Sequence, residues 1–168
     1  MFVGARAGRF YLLPKLHKKG CLGRPVISGC NTPTEKISAF VDRHLKPLIA
    51  VVPSYVKDTN DFLKYLRDIS TLPSCAIMVS IDVVGLYLHI PHDEGLQSRE
   101  ALNNRENPEI PTETIVDLAE LVLRNNNFEF NENHYLQTLG TAIGTKMTHS
   151  YANLFMDRLK RRLLSQGR

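Results

Sequence analysis

One stretch limits the folds open to this chain more than any other: Ala76-Ile77-Met78-Val79-Ser80-Ile81, a β-prone run that ends on Asp82. Apolar residues that follow one another with a single polar interruption need cover on both faces, which is the environment of a central strand. The sequence therefore predicts a buried strand over 76–81 that delivers Asp82 at its C-terminal end.

The elements around it alternate without a clean βαβ repeat. Phe10-Tyr11-Leu12-Leu13-Pro14-Lys15 reads as a short strand, His17, Lys18, Lys19 and Gly20 as a basic turn, and Pro25-Val26-Ile27-Ser28 as the returning strand. Thr32-Pro33-Thr34-Glu35 combines a capping hydroxyl, Pro at the first helical position and Glu three residues after the cap. Ile37, Phe40, Val41, Leu45 and Leu48 then recur at helical spacing, predicting a helix over about 33–50. A second helix is predicted over about 59–69, with Phe62, Leu63, Leu66 and Ile69 on one face and Pro73 beyond its end. Helical patterns follow over about 93–104 and 112–125. Phe128-Glu129-Phe130 and His134-Tyr135-Leu136-Gln137 flank Asn131-Glu132-Asn133 as a hairpin. A loop from Gly140 to Gly144 leads into an amphipathic helix from about Thr148 to Leu164. This order favours an α+β architecture over a doubly wound sheet, with no domain boundary inside the chain.

Composition sets outer bounds. At 168 residues, 43% hydrophobic and 23% charged, the chain is long and apolar enough to bury a core. No apolar run approaches the roughly 18 residues of a membrane span, and no apolar leader opens the sequence, so the expectation is a soluble intracellular protein with no membrane partner. Cys21, Cys30 and Cys75 form neither a disulfide framework nor a zinc motif and read as reduced thiols. Charge is unevenly spread: residues 1–47 carry +7, 48–156 carry −7 and 157–168 carry +4. Basic ends around an acidic middle are either a solvated surface or a phosphate-tracking face beside a carboxylate-bearing centre.

Three segments carry a resemblance. Tyr11-Leu12-Leu13-Pro14-Lys15-Leu16-His17-Lys18 with Gly23-Arg24-Pro25-Val26-Ile27-Ser28 resembles the fingers motifs of reverse transcriptases in the form seen in Penelope-like elements. Asp82-Val83-Val84-Gly85-Leu86-Tyr87, continuing to Ile90-Pro91-His92, resembles that group's first palm motif. Gly140-Thr141-Ala142-Ile143-Gly144-Thr145-Lys146-Met147, with Ser150-Tyr151-Ala152-Asn153-Leu154-Phe155-Met156 after it, is similar to the second. Together they cover about residues 10–160 in the group's order. The resemblance implies fingers and a partial palm of a right-hand polymerase, with fingers over about 1–75 and palm over about 76–168.

The same residues have readings of their own. Asp82 at a strand end either binds ions of a two-metal site or caps the following turn, and the resemblance implies the former, with the Val83 carbonyl contributing to a metal. Tyr87, five residues on, is core filling by residue type alone; the resemblance makes it the wall under the sugar of the incoming nucleotide. Lys15 and Arg24 suit phosphate oxygens as a compact charge and a planar fork, and the resemblance places them on the triphosphate, the alternative being solvated cations. Lys18, Lys19 and Arg9 read as solvated or as nonspecific template contacts. Gly144 either lets backbone approach a base pair or nucleotide, or serves only the turn before the last helix. The sequence departs from the group at Thr148 and His149, where a small residue and Pro are usual; His149 is not read as catalytic. Arg158, Lys160, Arg161 and Arg162 surround an apolar stripe on the last helix, as a solvated face or a template contact.

What the resemblance implies as a whole is an RNA-directed DNA polymerase acting on an RNA or DNA template with primer, using deoxynucleoside triphosphates and magnesium. The group's next motif contains two adjacent aspartates, and the 168 residues contain no Asp-Asp pair. The expectation is an N-terminal fragment, inactive alone for want of that motif and the thumb. The alternative is a noncatalytic basic module that binds nucleic acid through residues 1–47 and the last helix.

Overall fold

The computed structural model describes residues 4–16, 23–69, 71–97, 99–106 and 108–166. Two strands, β1 (Gly8–Pro14) and β2 (Gly23–Ser28), form the N-terminal ribbon, paired antiparallel from Arg9 opposite Ser28 to Pro14 opposite Gly23. The basic turn expected at 17–20, and Cys21, lie outside the described residues. Cys30 and Cys75 are free thiols.

The next elements are α1 (Glu35–Ile49) and α2 (Thr59–Asp68). Glu35 reaches back to the Asn31 N–H at 2.7 Å, so the acid at the helix entrance does satisfy an orphan donor, while the hydroxyl expected to cap from Thr32 instead donates to the Gly29 carbonyl at 2.8 Å. Pro47 stands in the last turn of α1. At α2 the Asp58 carboxylate accepts from the Asp61 N–H at 2.9 Å, the N-cap geometry its residue type favours.

Beyond α2 come α3 (Leu86–His89), α4 (His92–Leu96), α5 (Arg99–Asn103), α6 (Thr112–Arg124), β3 (Asn127–Phe130), β4 (Asn133–Leu136) and α7 (Thr148–Gln166). β3 and β4 make a hairpin whose two turn residues, Asn131 and Glu132, both have positive φ, as a tight turn matched to strand twist requires. β3 also pairs with β1 in parallel, Gly8 opposite Phe128, giving a mixed four-stranded sheet of order β2-β1-β3-β4. The architecture is α+β, and both halves of the chain contribute strands to this sheet.

The core lies between α1, α6 and α7. Val41, Ile115 and Met147 are fully buried, and Leu45, Ala119, Val122, Tyr151 and Phe155 pack with them. Burying an aliphatic side chain of this size stabilises the fold by about 1.5–3 kcal/mol. Two polar contacts tie α1 to the far end of the chain: the Met147 N–H donates to Ser38 Oγ at 3.0 Å, and Ser150 Oγ donates to Asp42 Oδ1 at 2.5 Å. The cations of α7 are also tied down, Arg158 to Gln97, Lys160 to Ser54, Arg161 to Asp157 and Arg162 to Glu94.

Besides the Thr32 cap, three expectations fail, the first being the helix over about 93–104, which is two short helices, α4 and α5, with Gln97 outside both. Residues 76–83 form neither strand nor helix, and Asp82 therefore ends no strand. Ile77 and Ile81 are 85% and 86% exposed, with Met78 and Val79 nearly as open. A strand exists only by pairing, and none of the four strands among the described residues pairs with this run; the outer side of β2 bridges Gly144 at Ser28 instead. The apolar face expected to bury α2 is likewise uncovered, and no residue of that helix is buried. Among the described residues no helix is long and apolar enough to cross a membrane.

Candidate nucleotide site

The loop between β4 and α7 is fixed on both sides. On one side the Gly144 N–H donates to the Ile27 carbonyl at 3.1 Å and the Gly29 N–H donates to the Gly144 carbonyl at 3.3 Å, so Gly144 lies along the outer edge of β2. A Cβ at position 144 would overlap the Ile27 carbonyl oxygen, so the close approach needs glycine. On the other side the Thr141 N–H donates to the Tyr87 carbonyl at 2.6 Å and the Gly140 N–H to the Ile90 carbonyl at 3.1 Å. Gly140 has φ +73°, and a Cβ there would meet the Leu88 backbone at 2.5 Å.

Three side chains hold the loop in shape. His92, buried, places Nε2 2.7 Å from the Gly140 carbonyl and donates to it. Thr148, buried at the start of α7, donates to the Ala142 carbonyl and lies 3.0 Å from Thr141 Oγ1. Ser38, from α1, accepts from Met147 as described above. The sequence named His92 and Thr148 only within the stretches that carry the resemblance and gave neither of them this holding role. Ser38 was not named, although a polar residue three positions before Val41, on the stripe that faces the core, was a signal.

Tyr87 and Gly144 are thus carried by segments that meet at this loop. The Tyr87 side chain is half-buried, and its hydroxyl lies 3.3 Å from Nδ1 of His149, in the first turn of α7. Arg24 pairs opposite Leu13, and strand alternation carries Lys15, one residue past the end of β1, to the same face of the ribbon as Arg24. Arg9 and Tyr11 share that face. No carboxylate among the described residues pairs with Arg9, Lys15 or Arg24.

The opposite face of the sheet is apolar. Phe10 packs on Phe128 and Phe130 with ring centroids 5.7 and 5.0 Å apart, and Phe128 stacks on Tyr135 at 5.4 Å. A cavity of about 330 Å³ separates these rings from the loop, lined by Ile27, Leu88, Ala142 and Ile143 among others and by no charged side chain. A triphosphate has no partner in it; the free cations of the ribbon project from the other side.

Asp82 and Val83 stand apart from this arrangement. Both are exposed on the extended segment before Gly85, whose φ of +67° opens α3. Among the described residues no three His, Cys, Asp or Glu side chains gather as a metal site would need. Asp82 and the Val83 carbonyl do not by themselves fit a magnesium ion in this geometry.

Comparison with protein-family models, curated proteins and solved structures gives no match to this chain.

Proposed function

We propose that the chain is the fingers and part of the palm of an RNA-directed DNA polymerase, a template-directed nucleotidyltransferase. The observation that carries this reading is the Gly140–Thr148 loop, hydrogen-bonded to Ile27 in β2, to Gly29 just past the end of that strand, and to the Tyr87–Ile90 segment. The three stretches that resemble reverse transcriptase motifs are distant in sequence, and this loop joins the second palm motif to both of the others.

In this reading the ribbon face with Lys15 and Arg24 binds the triphosphate of a deoxynucleotide, where a compact ammonium and a planar guanidinium suit phosphate oxygens. The Tyr87 ring lies beneath the sugar, and Gly144 brings backbone against the nucleotide or its base pair. Magnesium, when bound in a complete enzyme, supplies charge stabilisation at the transferring phosphoryl group. The donors within these 168 residues do not complete its site, so the chain alone extends no primer.

A second reading has its own support. Arg9, Lys15 and Arg24 form an unpaired basic face with Tyr11 between them, whereas Asp82 lies on an uncovered segment. This combination suits a noncatalytic module that tracks the phosphates of nucleic acid.

The two separate in one experiment. The chain is joined to the Asp-Asp segment and thumb of a reverse transcriptase of the Penelope-like group, and primer extension is assayed with magnesium. Extension that Asp82→Asn abolishes, with primer–template binding retained, supports the polymerase. Binding without extension in every such fusion supports the noncatalytic module, and extension unaffected by Asp82→Asn removes Asp82 from the site.

A further inference from the structure

The run before Asp82 has the residues of a strand and none of a strand's partners. From Ile77 to Val83 no backbone N–H or carbonyl is hydrogen-bonded to another backbone group among the described residues, and the side chains of Ile77, Met78, Val79 and Ile81 are exposed. The segment is bounded by a turn in which the Ala76 N–H donates to the Pro73 carbonyl at 2.9 Å, and by Gly85, whose positive φ opens α3. Residues 76–81 hold no charge, no Gly and no Pro. Unpaired backbone and uncharged β-prone side chains together make an edge that pairs with another chain.

We propose that this edge pairs with the same edge of a second copy of the chain, as an antiparallel two-fold ribbon centred on Val79. The run is complementary to itself in that register. Ile77 stands opposite Ile81 and Val79 opposite Val79, a continuous β-branched face, whereas a slip by one residue sets Ile77 against Ser80. Charge selects the antiparallel pair as well. Asp82 falls opposite Ala76, and the two Asp82 carboxylates lie at opposite ends of the ribbon, about 20 Å apart, beyond the screening length of about 10 Å. A parallel in-register pair would set Asp82 on Asp82 at about 5 Å, which disfavours open-ended stacking. The paired stretch is far shorter than the roughly 20–30 residues a side of a standard interface, so the dimer is weak. At the micromolar concentrations of an unfolding experiment the chain is monomeric and the run lies in water; near about 1 mM the dimer predominates. Neither the ribbon cations nor the Gly140–Thr148 loop takes part, so the pairing is independent of the polymerase reading.

Sedimentation equilibrium of the whole chain, from about 10 µM to about 1 mM, tests the pairing. The mass rises from that of one chain toward that of two and no further. Val79→Lys and Val79→Glu, at an exposed position that leaves the circular dichroism spectrum unchanged, each weaken association about tenfold, because like charges meet on the two-fold axis. Mixed in equal amounts the two variants associate again, since opposite charges then face each other. The register is read by cross-linking on a Cys21→Ser, Cys30→Ser, Cys75→Ser background. Ile77→Cys and Ile81→Cys chains, mixed and oxidised, link to each other and not to themselves, because directly opposed residues lie about 4.5–5.5 Å apart, within the reach of a disulfide. A chain that stays monomeric at about 1 mM, or that grows beyond two copies, overturns the proposal. So do charge variants that associate as the wild type does, a mixture that stays apart, or a cross-link that either cysteine variant forms as readily with itself.

Discussion

The amide of Gly144 donates to the carbonyl of Ile27 at 3.1 Å, a backbone contact that no residue with a side chain can make at that position. Overpacking costs about 1–3 kcal/mol, and because the obstructing atom is backbone oxygen the upper end applies to Gly144→Ala. For a chain of this size that lowers the melting temperature by about 6–12 °C. Lys146→Ala, an exposed change two residues on, stays within about 0.5 kcal/mol of wild type. Thermal unfolding followed by circular dichroism distinguishes the two; equal melting temperatures mean that the loop does not lie against β2.

Binding of a primer–template weakens with salt if the ribbon tracks phosphates, with a log–log slope of about −0.9 per phosphate neutralised. Lys15→Ala or Arg24→Ala flattens that slope by up to about one unit, since each removes one cation from the shared face. Arg162→Ala changes it little, because Arg162 faces Glu94. Fluorescence anisotropy at several salt concentrations measures all three, and a slope untouched by the ribbon variants excludes that face.

Tyr151 makes the fold sensitive to alkali. Burial against α4, and secondarily the Asp93 carboxylate, raise its phenol well above the usual tyrosine range. The unfolded chain then loses the proton at about pH 10 while the folded chain keeps it. The contribution to stability is complete below about pH 10 and is lost as pH climbs toward the folded value. Between pH 8 and pH 11 the wild type loses about 1.4 kcal/mol more than Tyr151→Phe, as read from urea unfolding at the two pH values. Parallel losses would mean that the hydroxyl reaches water.

Substitutions at the run before Asp82 are nearly silent for stability. Ile77→Ser with Val79→Ser removes apolar surface that is already in water, so the stability moves by no more than surface changes do, about 0.5 kcal/mol. Ile115→Ala, at a fully buried position, costs about 2–5 kcal/mol. The exposed run also binds a hydrophobic dye such as ANS, and the double serine variant binds less. A large loss of stability in that variant would place the run inside the core.

These contrasts mark what local sequence determines. The helix over 112–125 was legible because Ile115, Ala119 and Val122 repeat at helical period and α1 and α7 supply the surface that covers them. The hairpin over 127–136 was legible because Asn131 tolerates positive φ and the flanking residues are β-prone. The run at 76–81 has equal propensity but no partner, and propensity does not pair a strand. Lys15 and Arg24 share a face because one ribbon carries both. The meetings of Gly144 with Ile27 and of His149 with Tyr87 depend instead on packing between distant segments, for which neither residue's neighbours give a sign.

The parallel pairing of Gly8 with Phe128 has a further consequence, in the order of events as the chain is made. Ser38 waits for Met147 across 109 residues and Asp42 for Ser150 across 108. At ordinary rates of synthesis these partners leave the ribosome on the order of ten seconds apart. Each doubling of such a loop adds only about 0.6 kcal/mol of closure entropy, so the delay comes from translation and topology more than from the loops themselves. During that interval the ribbon and α1 have been synthesised with their apolar faces open, a state prone to aggregation until α7 emerges.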